Sequence, residues 1–454
     1  MKRYSLLACS LIVFISISYG NESDYYKTWY KVDTVRPALT TLANFEVNLT
    51  KPLQGINAPT SLNLDAITFL SDSTLSLVEI VNNQTRPVPF QIKNNGSRTL
   101  YWQIPAGDQK KHQYRLINTS APSSPAIQLT NTDGQLTFHN AGNNLLNYYF
   151  KTVYPPAGVD TNFKRSGFIH PLWTPHGQEL TRIQAPDHYH HYGIWNPWTH
   201  VYFEGDTVDF WNIKGKQGTV RFAKLVSATE GPVFSEFQAL HEHVVFKKDG
   251  TEKVALNELQ TVRVWKPAIV NRQSSVVSQQ SVLRPSTHDS RLTIDDYYIV
   301  DITSEMNCAT ESPFLIVAYR YAGMGWRTTG FWDNKNCEVL TSEGKNRDNT
   351  DGTKAKWCIV QGALPGNDSG GVAFLSYPAN YNHPEPMRIW VKNTNQRGDM
   401  FFNFAPTKDR NWLLQPGKTY VLQYRLIVFN GKYDAAKAES AWNYFAHPPT
   451  VKLK

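Results

Sequence analysis

Almost every apolar run in this 454-residue chain alternates with polar residues in period two, and no other feature constrains the fold as strongly. Between residues 21 and 145 the alternating segments are short: FEVNL, AITFL, LSLVEIV, TLYWQI, HQYRLI and QLTFHN, divided by Asn, Gly, Pro and Ser clusters. That spacing predicts a small N-terminal β-sandwich, an accessory module with only His112 and His139 among its histidines. From 146 to 454 the segments lengthen, as in VALNELQTVRVW, YYIVDITSEM, FLIVAYRYAG and TYVLQYRLIVF. These predict a large antiparallel β-sandwich. Only DAAKAESAWNYF carries a helical stripe, with Ala438, Ala441, Trp442 and Phe445 on one side. The expected class is all-β, two sandwiches with one C-terminal helix.

Residues 1–20, MKRYSLLACSLIVFISISYG, place Lys2 and Arg3 before an apolar run from Leu6 to Ile17. This is the pattern of a cleaved secretory signal, so a periplasmic or secreted protein is expected. Cys9 stands too near the start for a lipoprotein signal. No other apolar run approaches the roughly 18 residues that span a bilayer, and no membrane span is expected. In an exported chain the remaining Cys308, Cys337 and Cys358 allow at most one internal bridge, with Cys337 and Cys358 closing the shortest loop. Their spacing matches no zinc motif, and buried apolar thiols are the simpler reading. Without the first twenty residues the 46 Lys and Arg become 44 against 38 Asp and Glu, a mild excess of about six positive charges. Because the basic residues are scattered, a nucleic-acid partner is not expected, whereas an acidic saccharide is compatible.

The histidines are distributed unevenly. Of thirteen, six fall between His170 and His200: His170, His176, His188, His190, His191 and His200. In DHYHHYG an extended strand would put His188 and His190 on one face and His191 on the other, and Gly193 would permit a turn or close approach. Imidazoles in register can bind a metal, relay protons or donate to sugar hydroxyls. A metal would need further ligands from Asp187, His170, His176 or His200; no H-E-x-x-H pattern is present, and no cofactor is expected, with a divalent metal as the open alternative. In HEHVV, His241 and His243 share a face, and Glu258 and Arg263 follow in the next strand. Trp195, Trp198 and Trp211 flank the main cluster as sugar platforms or core. YRYAGMGWRTTGFW offers Arg320, Trp326 and Arg327 in a glycine-punctuated loop, where a tryptophan can stack on a sugar and an arginine fork can grip a carboxylate. The polar stretch after it holds Glu343, Arg347, Asp348 and Asp351, and a carboxylate beside basic residues can act as general acid or base.

Six segments in order, GFIHPLWTPHGQELT, APDHYHHYGIWNPW, DFWN, YRYAGMGWR, LTSEGKNRDNTDGTKAKWC and HPEPMRIWVKN, resemble the PmoA-like family of exported bacterial proteins, a domain of unknown function. The resemblance covers about residues 146–446. Its label points to a methane monooxygenase subunit, but a membrane-embedded copper protein needs several spanning helices, and that activity is rejected. The resemblance implies a β-sandwich associated with bacterial glycan degradation, and marks His170, His188, His190, His191, Trp326, Arg327, Glu343 and Arg347. NPWTHVYF is also similar to the asparagine and histidine motif of aldose epimerases. The expectation is an exported glycan-active enzyme, a glycoside hydrolase or lyase on an acidic or decorated saccharide. The alternatives are a non-catalytic carbohydrate-binding protein and an aldose epimerase or mutarotase. His188, His190, His191, Glu343 and Arg327 are the candidate catalytic residues; His170, Trp195, Trp326, Arg347, His241 and His243 are the candidates for substrate binding.

Overall fold

A computed structural model describes residues 40–120, 124–269, 296–394 and 396–454. The candidate export signal lies outside the described residues. Within them the chain is nearly all β, with one α-helix, Ala435–Ala446. Two nine-stranded antiparallel sheets dominate. The first includes the long strands Phe234–Phe246, Glu252–Trp265, Asp296–Cys308 and Tyr420–Asn430. The second runs from Lys354–Ala355 through Glu385–Ile389, Phe401–Phe404, Gly325–Arg327 and Ile194–Trp195 to Phe168–Leu172 and three further strands ending at Gln128–Thr132.

The sheets pack through one core. Tyr298, Val300 and Ile302 of the first sheet join Ile194, Trp326 and Phe402 of the second in a single apolar cluster. The alternate residues Tyr297 and Ile299, with Ile427 and Phe429, face the other way against Ala438, Ala441 and Phe445 of the helix. A sheet covered on both faces needs side chains that are apolar on both, which is why LIVF in strand Tyr420–Asn430 reads as a continuous apolar run. Asp434 caps the helix, its Oδ1 accepting from the Lys437 amide at 2.9 Å. Strands between Thr40 and Asn118 form a five-stranded and a three-stranded sheet around Trp102, Tyr114 and Leu116; the C-terminal strand Thr450–Leu453 is added at the edge of the larger. The strands spanning 128–149 pair with the second large sheet.

All three cysteines in the described residues are free. Cys337 and Cys358 are buried, and burial pushes the Cys337 thiol up to about 12 and that of Cys358 higher still. Among the described residues, no helix is long and apolar enough to cross a membrane.

Candidate functional site

The middle of the second sheet turns its outer face toward a short hairpin. Along each strand there, one side chain enters the core and its neighbour points out. Trp326, Phe402, Ile389 and Ile194 lie in the main core, while Trp195, Trp390 and Phe401 form an outer aromatic cluster with Trp211, Tyr192 and Phe168. The hairpin pairs Ile183–Ala185 with His188–Tyr192 and is tied to the sheet through Gly193, whose carbonyl accepts from the Arg327 amide at 2.8 Å. Gly193 has φ +54°, and a Cβ there would stand 2.1 Å from the Ile169 carbonyl oxygen. Both facts require glycine.

The cavity under the hairpin has a volume of about 270 Å³. His188, His190 and His191 line it, with Trp211, Trp390 and Phe401 as apolar walls and Arg320, Arg388, Asn212 and Tyr321 as its polar part. Simple alternation predicts His191 on the opposite face, but its ring lies 4.7 Å from both neighbours' rings, stacked on His188. The reason is local. The hairpin shifts register between Ile183 and Ala185, with Gln184 at φ +48°, and a bulge of this kind twists a two-stranded ribbon strongly.

His188 is held in one tautomer. Its Nδ1 lies 2.8 Å from Oδ2 of Asp187, and because an ionised carboxylate can only accept, Nδ1 carries the proton, so that in the neutral imidazole Nε2 is the nitrogen with the lone pair. Burial opposes the charge on Asp187, yet the His188 hydrogen bond and the Arg327 guanidinium hold its carboxyl well below the usual range. Nη2 of Arg327 donates to Asp187 and to Asp399, each at 2.9 Å, and the guanidinium lies 4.6 Å from the Trp390 ring centroid. Burial, with His188 and the Arg165 guanidinium nearby, brings His190 down to about 3, and burial carries His191 well below its ordinary value, so both are neutral near pH 7. Tyr321 stays protonated because burial raises it; its hydroxyl accepts from Nδ2 of Asn212 at 3.1 Å. Arg388 pairs with Asp351. The Arg320 guanidinium lies over the Tyr319 and Tyr321 rings, and among the described residues it pairs with no carboxylate.

The other sequence candidates lie elsewhere or act indirectly. Trp195 stands behind His191 at a ring separation of 5.2 Å. Trp326 is buried on the core side, its Nε1 donating to the Leu180 carbonyl at 3.0 Å. Arg347 is also buried; it donates to the Trp390 carbonyl at 3.3 Å and to that of Asp399 at 3.2 Å, as well as to those of Asp333 and Gly398. It therefore braces the segment that carries Trp390 and Asp399 into the site. His170 bonds Thr181, and burial lowers it to about 4. His241 and His243 belong to a buried network inside the sandwich: Nε2 of His243 donates to Glu258 at 3.1 Å, and His241 meets the Tyr148 hydroxyl at 2.6 Å. Glu343 is exposed on the turn after strand Cys337–Thr341, and it is not brought to the cavity. Conversely, Arg388, Trp390, Phe401, Tyr321, Asn212 and Asp399 were not among the expected site residues. Alternation could have revealed Arg388 and Trp390, which share a face in MRIWV; nothing local marks Asp399. No three His, Cys, Asp or Glu among the described residues are placed to hold a metal ion.

Residues 135–443 match the sequence model of a family of unknown function, DUF6807. The chain belongs to this family. The DUF6807 region includes every residue that lines the cavity. No curated protein matches the chain in sequence. Among solved structures it is similar to an alpha-mannosidase from Enterococcus faecalis, with TM-score 0.44 and 8% identity, over 91% of this chain and 46% of that one. A glycosyl hydrolase family 38 protein from the same organism gives TM-score 0.39 and 9% identity, over 91% and 47%. A GH36 alpha-galactosidase from Geobacillus stearothermophilus gives 0.27 and 8%, over 67% and 41%. The chain spans less than half the length of each, and likenesses this remote carry no argument about activity.

Proposed function

We propose that this exported DUF6807 protein is a glycan lyase that cleaves a uronate-containing saccharide by β-elimination in the histidine-lined cavity. The observation that carries this reading is the His188–Asp187 pair, 2.8 Å apart, with its imidazole lining a cavity that also has two arginines and no carboxylate among its described lining residues. Glycoside hydrolysis ordinarily uses two carboxyl groups flanking the bond, and this lining offers none. Elimination needs a different set. Arg320 and Arg388 bind the uronate carboxylate and draw off charge, which acidifies the proton on the neighbouring carbon. The Nε2 lone pair of His188 removes that proton, and the electron pair moves toward the carboxylate. The β carbon–oxygen bond then breaks to leave a double bond, while the Tyr321 hydroxyl gives its proton to the leaving oxygen. Trp390 and Trp211 supply apolar faces for the ring. The resemblance to PmoA-like proteins, with their association with glycan degradation, adds to the reading.

The test is incubation of the purified protein with a panel of uronate-containing glycans, following the ultraviolet absorbance of the unsaturated product. Wild type should generate it. His188→Ala should lose about 100-fold or more, as expected for removal of a general base. Asp187→Asn should lose rate with little change in KM, because it releases the tautomer and orientation of His188. New reducing ends without unsaturation would refute elimination, and tight binding with no turnover would make the protein a carbohydrate-binding one.

A further inference from the structure

Beside the histidine cavity lies a second, wider depression of about 650 Å³, whose lining includes Arg182, Asp187, Phe331, Arg397 and Asp399. Asp187 contributes to this depression, and His188, the next residue and its hydrogen-bond partner, contributes to the cavity. The backbone joining Asp187 to His188 therefore lies between the two compartments. Phe331 is 51% exposed. A single exposed aromatic is ordinary on a protein surface, but this one is tethered on both sides. Its amide donates to Oγ1 of Thr329 at 3.3 Å, its carbonyl accepts from Asn336 at 2.8 Å, and Arg397 donates to the carbonyl of Gly330 just before it. The following Trp332 is buried, its Nε1 bonded to the Ala363 carbonyl at 3.0 Å. The ring is thus presented to solvent from a fixed backbone, which lowers the entropy lost on stacking. The lining of the depression is balanced in charge, Arg182 and Arg397 against Asp187 and Asp399. Arg182, Arg397 and the buried Arg327 all contact Asp399, and Arg327 also contacts Asp187.

We infer that this depression is a second sugar subsite, with Phe331 as its stacking platform, and that the ligand is therefore an acidic oligosaccharide or polysaccharide chain rather than a monosaccharide. The inference rests on the proposed glycan function, and it extends that function to a chain lying across Asp187 with one residue in the histidine cavity and the next against Phe331. Arg182 and Arg397 then face the acidic groups of the neighbouring unit.

Calorimetric binding of a uronate disaccharide and the corresponding hexasaccharide, in galacturonate and alginate series, tests this with the full-length protein. Cleavage of the same sugars is followed in parallel. Phe331→Ala should weaken the hexasaccharide about tenfold and leave the disaccharide within twofold, and Phe331→Tyr should restore the tighter binding. Phe331 is half exposed, so the fold is expected to survive, and circular dichroism checks it. If Phe331→Ala affects neither sugar, or both equally, while wild type still forms unsaturated product, the subsite is refuted and the lyase stands. Length-dependent binding through Phe331 without any cleavage refutes the lyase and keeps the subsite. Failure of wild type to bind any of these sugars overturns both.

Discussion

Glu385 begins the strand that delivers Arg388 and then Trp390 to the cavity, and its own side chain is fully buried, with no cation paired to it among the described residues. It accepts from Ser376 at 2.6 Å, Asn380 at 2.8 Å and Tyr424 at 2.9 Å. Burial outweighs these three bonds and pushes the carboxyl up from 4.5 to about 7. Below pH 4.5 the group is protonated in folded and unfolded chains alike, and its contribution to stability is intact. Between 4.5 and about 7 the unfolded chain releases the proton while the folded chain keeps it, so stability falls as pH rises and the contribution is lost through about pH 7. At about 1.4 kcal/mol per pH unit the displacement amounts to roughly 3 kcal/mol. Glu385→Gln removes the titration and adds a pH-independent offset, because its amide nitrogen faces donors. Urea unfolding of both proteins from about pH 4 to pH 8 isolates the term, since all other titrating groups are common to the two. The variant should gain roughly 3 kcal/mol on wild type across that interval. A difference between the two that stays flat with pH would show that Glu385 ionises normally and would refute the argument from burial.

Two further substitutions probe how the site is held. Gly193→Ala should cost about 1–3 kcal/mol from its left-handed backbone alone. The contact with the Ile169 carbonyl adds to this, and the hairpin bearing His188 should show faster amide exchange than the rest of the sheet. Arg347→Met leaves buried carbonyls unpaired at about 1–3 kcal/mol each. It should lower the urea midpoint and loosen Trp390, read as a shift in tryptophan fluorescence, whereas an unchanged midpoint would deny Arg347 its bracing role.

Alternation in the sequence was enough to give the all-β class and the lone helix, because burial of one face per strand is a local periodic demand that each segment states for itself. The histidine cluster around 188–191 was legible for the same reason: residues close in sequence stay close in space. The same periodicity also contained an unused clue, since Trp326 and Arg327 are adjacent in a strand and cannot both face one site; the tryptophan goes to the core and the arginine to Asp187. What tertiary structure alone decided was which distant strands meet. The pairing of Gly325–Arg327 with Phe401–Phe404, and of that strand with Glu385–Ile389, brings Trp390, Arg388 and Phe401 beside the histidines. It also sets Asp399 on Arg327 and leaves Glu343 on an exposed turn outside the cavity. Such pairings depend on summed packing across the whole sandwich, and no single segment carries enough of that energy to announce its partner.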